Sequence, residues 1–140
     1  MTIPNIYVTQ GTTGDVGVVV GSENTTGLYM AKSTPCAFLA STNRPIWGAI
    51  IWNVNSFKYN NEGFQQMLFV GLHEMTHVLA FSALMYGTYP SGSVLGTTPA
   101  GDYYLKSPIL TPEVANYYGC GSTYGLDLED QDGTLIGSHW

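Results

Sequence analysis

Positive charge is scarce in this chain. Its 140 residues contain 4 Lys and Arg against 10 Asp and Glu, for a formal net charge of −6. A nucleic-acid partner is thereby excluded, because phosphate binding needs a basic face that releases counterions. A polybasic membrane-surface helix is excluded on the same ground. Charge of either sign is low, at 10% of residues, against about a quarter in ordinary globular domains. No apolar run approaches the roughly 18 residues of a membrane span, and the longest, Ile46 to Trp52 and Met67 to Leu72, are of core length. The first 30 residues hold no Lys or Arg and no apolar h-region, so no secretory signal peptide is visible. Two cysteines, Cys36 and Cys120, allow a single disulfide worth roughly 4 to 5 kcal/mol in the chain-entropy model, two buried thiols, or pairing with residues outside this chain. Asn24-Thr25-Thr26 fits the N-glycosylation pattern, a common chance match.

What is present suffices for one domain with one core. Hydrophobic residues make up 44% and aromatics 13%, with 17 Gly and 7 Pro to break the chain into short elements. Asp15 to Gly21 (DVGVVVG), Leu28 to Ser33 and Ile46 to Trp52 (IWGAIIW) read as strands. Asn60 or Asn61 is placed to cap a helix, with Glu62 in its first turn. Phe64, Met67, Leu68, Leu72, Met75, Val78, Leu79 and Phe81 then recur at spacings of three and four. This pattern predicts a helix covered by protein on much of its surface, ending no later than Gly87 or Pro90. Residues 86–104 read as a long loop. Thr111-Pro112-Glu113 reads as a helix start and Gly119 as its stop, with irregular chain and an Asp132-Gly133 turn to follow. These elements predict an α+β fold, a small twisted sheet packed on a long helix, with a long irregular segment after it.

The chemistry is concentrated in that helix. His73-Glu74-Met75-Thr76-His77 is an HExxH sequence. Residues i and i+4 stack on one helix face, so both imidazoles can reach one Zn2+ at about 2.0 to 2.1 Å. Glu74 lies about 100° further round, beside the metal, where it can take a proton from zinc-bound water. With 3 His and 5 Glu in the chain, random order would produce such a pattern about two or three times in a thousand. A buried helix with histidines bonded only to the core is the competing structural explanation. It would leave two imidazoles and a carboxylate in costly apolar surroundings.

A catalytic zinc takes three protein ligands and leaves one position for water. The compact arrangement would place a third His six residues after His77, where Ala83 stands. Glu113 and Glu129 are downstream alternatives, and His139 is the remaining histidine and the better candidate. The acidic stretch from Asp127 to Gly133 fails the EF-hand calcium template, since Leu128 occupies a ligand position, and reads as a solvated turn.

These residues resemble the leishmanolysin-like metallopeptidases, the M8 family of metzincins. HEMTHVLAFS, residues 73–82, resembles that family's zinc helix. Arg44-Pro45-Ile46-Trp47-Gly48-Ala49-Ile50 with Asn53 resembles the RPxxGxI…N stretch before it. Thr111-Pro112-Glu113-Val114 with Tyr118-Gly119-Cys120, then Gly125 to Asp130 and Gly137-Ser138-His139-Trp140, resemble later segments in the same order. The resemblance implies a zincin-like N-terminal subdomain within a single catalytic domain spanning residues 1–140. It implies zinc held by His73, His77 and His139, with Glu74 as catalytic base. It further implies a zinc metalloendopeptidase acting on peptide or protein substrates by Glu-assisted attack of zinc-bound water. An extracellular or cell-surface location, with links to adhesion and the membrane, is implied as well. The alternative is a catalytically silent fragment acting as a binding or adhesion module.

Two departures from the family pattern carry expectations of their own. Ala80 stands where metzincins carry a Gly three residues after the second His. The turn there is therefore expected to be strained, or the helix to run on towards Tyr86. The chain stops one residue after His139, with no counterpart of the Met-turn or the C-terminal subdomain. A fragment of a larger protease is the expectation.

Overall fold

The computed structural model describes residues 14–89, 94–129 and 139. The chain divides into two compact units, Met1–Ala80 and Phe81–Trp140.

The first unit is a three-stranded sheet with a helix against one face. Strands β1 (Gly17–Glu23), β2 (Ala31–Leu39) and β3 (Arg44–Asn53) are followed by a short 3₁₀ turn, Val54–Ser56, and helix α1 (Asn61–Leu79). The sheet order is β1-β3-β2. β1 runs parallel to β3, with Val20 opposite Ile50, and β2 runs antiparallel to it, with Ser33 also opposite Ile50. Pro35 lacks an N–H to donate, so it suits this outer strand, and the register shifts just after it. Cys36 on β2 and Cys120 are both exposed free thiols, which sets aside the buried pair.

Strand pairing sorts the side chains by face. Gly48, Ile50 and Trp52 of β3 alternate with Trp47, Ala49 and Ile51. The first set meets α1: a Cβ on Gly48 would lie 2.3 Å from Val78 Cγ1, and one on Gly71 would lie 3.5 Å from the Trp52 ring. Gly48 therefore lets the helix approach β3 closely. Ala31, Ile50 and Val78 form the buried apolar centre. Asn53 is buried at the end of β3 and ties down the connection before β2. Its Nδ2 donates to the carbonyls of Gly27 and Tyr29, both at 3.1 Å, and its Oδ1 accepts from Asn55 N at 3.2 Å.

α1 begins where the sequence places it. Asn60 is the cap, its Oδ1 accepting from Gly63 N at 2.7 Å, and Glu62 lies in the first turn. Its C-terminus does not run on towards Tyr86. The helix stops at Leu79, and Ala80 turns the chain at φ −155°, outside the left-handed region, with its N–H still bonded to Thr76 O. The expected covering of much of the α1 surface is not seen among the described residues. Gly63, Glu74, His77 and Val78 are its buried positions, whereas Phe64, Leu68 and Leu72 are more than half exposed beside an apolar groove that Val20 lines.

The second unit has a smaller sheet. Strands β4 (Leu95–Thr97), β5 (Tyr103–Leu105) and β6 (Leu126–Asp127) are antiparallel in that order, and helix α2 (Leu110–Tyr118) lies between β5 and β6. Residues 86–104, expected to be loop, thus contain one strand and the start of another. α2 starts earlier than expected: Ser107 Oγ accepts from Leu110 N at 2.9 Å, and Thr111 is already inside the helix. It stops as expected at Gly119, whose φ of 67° is the left-handed cap glycine favours. Tyr86, Leu105 and Leu128 are the buried core of this unit. Leu128 is therefore occupied in packing, which accounts for the failed calcium pattern; the Asp132-Gly133 turn lies outside the described residues. No helix among the described residues is long and apolar enough to cross a membrane.

Candidate metal centre

His73, Glu74 and His77 occupy the last two turns of α1, at the end that closes against β2 and β3. Gly71 and Val78 mark the face of the helix that meets the sheet, and Glu74 falls between them at helical spacing. It is 6% exposed. His77 is buried as well, while His73, one turn earlier, is exposed. Thr76 Oγ1 donates to the His73 carbonyl at 2.7 Å and secures the turn between the two rings.

The two imidazoles converge. Their Nε2 atoms are 3.0 Å apart, with ring centroids 4.6 Å apart and planes at 87°. A tetrahedral zinc with Zn–N of about 2.05 Å requires about 3.3 Å between neighbouring nitrogens. The observed separation is within a few tenths of an ångström of that edge. The donors also fit: neutral imidazole nitrogen is a preferred zinc ligand. This histidine pair can hold a metal.

The buried carboxylate of Glu74 has a partner that sequence reasoning missed. Ser33 Oγ on β2 lies 2.6 Å from Glu74 Oε2 and 2.9 Å from the Glu74 carbonyl. A serine 41 residues upstream in a strand carries no pattern of its own, and only the pairing of β2 with β3 brings it under the helix.

His139 belongs to the second unit. Its carbonyl accepts from Glu129 N at 2.8 Å, and its Nδ1 lies 3.6 Å from Glu129 Oε2. That is too long for a hydrogen bond. Glu129, one of the alternative third ligands, thus sits beside His139. The other, Glu113, is exposed in the first turn of α2, where a negative charge suits the helix N-terminus.

Comparison with known proteins gives one consistent result. The family model described as Peptidase M8, leishmanolysin, matches residues 1–140. The leishmanolysin of Leishmania amazonensis is 27% identical over 141 residues, covering 98% of this chain and 23% of that protein. The human ciliated left-right organizer metallopeptidase is 26% identical over 130 residues, covering 82% of this chain and 16% of that protein. The chain therefore spans less than a quarter of the length of these relatives. It belongs to the leishmanolysin family of peptidases, M8.

Proposed function

We propose that this chain is the metal-binding part of a zinc metalloendopeptidase catalytic domain, with peptide or protein as substrate. The convergence of His73 and His77 around a spacing suited to zinc, with a buried carboxylate at the residue between them in sequence, carries this reading. Family membership supports it. His73, His77 and His139 each offer one ring nitrogen, and these three would hold the ion.

When bound, zinc supplies Lewis acidity that makes a water acidic near pH 7 and polarises the scissile carbonyl. Glu74 accepts the proton from the attacking water and returns it to the leaving amine nitrogen as the C–N bond breaks. Its burial excludes competing water from the carboxylate and strengthens its interaction with the reacting atoms. β2 has a strand on one edge only among the described residues. An extended peptide can add to its other edge through main-chain hydrogen bonds and pass close to Glu74.

Glu74→Gln in the full-length protein is the test. Peptide hydrolysis should fall about 10³-fold, with zinc content unchanged. Unchanged hydrolysis removes Glu74 from the mechanism. A parent protein that binds zinc tightly yet cleaves no peptide would instead mark a silent binding module.

A further inference from the structure

We propose that Ser33 is a positioning residue for Glu74: its hydroxyl fixes the carboxylate in the orientation that presents Oε1 to the reacting water. The proposal rests on the peptidase reading above and adds a strand residue to its machinery.

Glu74 has a defined place on the helix. It shares the sheet-facing stripe with Gly71 and Val78, not the outer surface. A glutamate there has three rotatable bonds and can swing towards β3, towards β2 or out of the interface. Holding one conformer costs rotamer entropy, so a fixed orientation needs a specific partner. Ser33 supplies one from the adjacent strand, at 2.6 Å. That length is typical of a hydroxyl donating to an ionised carboxylate, about twice as strong as a neutral hydrogen bond.

Among the described residues, Ser33 engages only one oxygen of the carboxylate. The bond is to Oε2, so Oε1 is left for the water. A serine proton can serve one acceptor at a time, and the second acceptor within reach, the Glu74 carbonyl at 2.9 Å, gives the hydroxyl somewhere to turn. When Glu74 carries the proton on Oε1 in mid-reaction, Oε2 becomes the carbonyl oxygen of the acid and can go on accepting from Ser33 Oγ. The contact then persists through both halves of the proton transfer without moving a backbone atom.

The surrounding strand is built for this approach. Ala31, Ser33 and Pro35 are the residues of β2 opposite Trp52, Ile50 and Gly48, so they share the face that meets α1. All three are small or compact, and Ser33 alone brings a donor. A hydroxyl at that position is therefore singled out by chemistry as well as by distance.

The test compares Ser33→Thr, which keeps the hydroxyl, with Ser33→Val, which has the same shape without it, in the full-length protein. S33T should stay within about threefold of the parent kcat, and S33V should lose about tenfold. KM should stay within about twofold and zinc content should not change. A second readout needs no activity. In urea unfolding of the metal-free protein, the destabilisation caused by S33V should largely vanish in an E74Q background, since the hydroxyl then faces no charged acceptor. Equal kcat for S33T and S33V, or an undiminished S33V effect beside E74Q, overturns the proposal. If S33V does not fold, Ser33→Cys, a weak donor of similar size, answers in its place, and kcat equal to the parent overturns the proposal. Failure of E74Q to lower turnover sinks the peptidase reading instead, so the two failures are told apart.

Discussion

The two units hold their site residues by different means. In the first, His73, Glu74 and His77 ride on a 19-residue helix pinned to a sheet, and the contacts that fix them come from several elements. Val78 is wholly buried against the Gly48 gap, and Ser33 reaches Glu74 from the neighbouring strand. In the second, the His139 carbonyl accepts a backbone hydrogen bond from Glu129, and its side chain is about half exposed. A ligand pair that is already converged loses little freedom when a metal arrives. A ligand on a separate segment pays its ordering entropy at that moment. On the proposed ligand set, the first unit would supply most of the affinity and His139 the remainder.

Zinc affinity is where this contrast should show most. His77→Ala breaks the preformed pair and should weaken zinc binding on the order of 10³-fold, whereas His139→Ala should cost on the order of 10²-fold. Competition against a chelator of known affinity measures both. A parent-like affinity for H139A would remove His139 from the ligand set, and a greater loss for H139A than for H77A would reverse the roles assigned to the two units.

Stability gives the next largest effect. A methyl group added at Gly48 would lie 2.3 Å from Val78 Cγ1. Val78 is β-branched, stiff and wholly buried, so it cannot yield as the tip of a long side chain would. Gly48→Ala should destabilise the protein by about 3 kcal/mol in urea unfolding, the upper range for overpacking. Gly87 in the second unit has no atom within 4 Å of the corresponding position, and Gly87→Ala should change stability by less than about 1 kcal/mol. Equal effects would mean that α1 is not locked against β3.

The same packing explains what could be read from the sequence. β3 and α1 were legible because their contacts are large and periodic: Ile50, Trp52 and Val78 alternate or recur as a buried face demands. β2 was misplaced, expected at Leu28 to Ser33 and found at Ala31–Leu39. Where α1 rides close to it, β2 carries Ala31, Ser33 and Pro35, and small residues at a close approach erase the hydrophobic alternation that announces a strand. β4, β5 and β6 are two or three residues long, too short for any period to show. Exposed apolar residues misled in the other direction, since Phe64, Leu68 and Leu72 keep helical spacing without being covered. Of the site, the HExxH spacing placed His73, Glu74 and His77 on one helix, and the structure adds the convergence of the two rings. Ser33 was invisible because its role depends on strand pairing across 41 residues.

The smallest expected effect separates surface electrostatics in the first unit from its packed interior. Glu23 on β1 accepts hydrogen bonds from Lys32 and Tyr29. The Lys32 bond, with Tyr29 second, holds the Glu23 carboxyl below its ordinary value of 4.5, and the Glu23 bond holds Lys32 above 10.5. A carboxyl lowered by folding stabilises the folded state above its unfolded pKa, and that contribution fades as pH falls through the lower folded value. The raised lysine contributes below its unfolded pKa and fades as pH rises past the folded one. The cluster should therefore help between about pH 5 and pH 10, and little, because it is exposed to solvent and salt. Unfolding of the parent and of Glu23→Gln, followed from about pH 7 to pH 3, should show a small gap that closes at the acid end. At about pH 7 the gap should also shrink in about 1 M salt, where the G48A deficit, being steric, should remain. A gap that survives both acid and salt would mean that Glu23 acts through packing, and the line drawn between the wet and dry faces of this sheet would have to move.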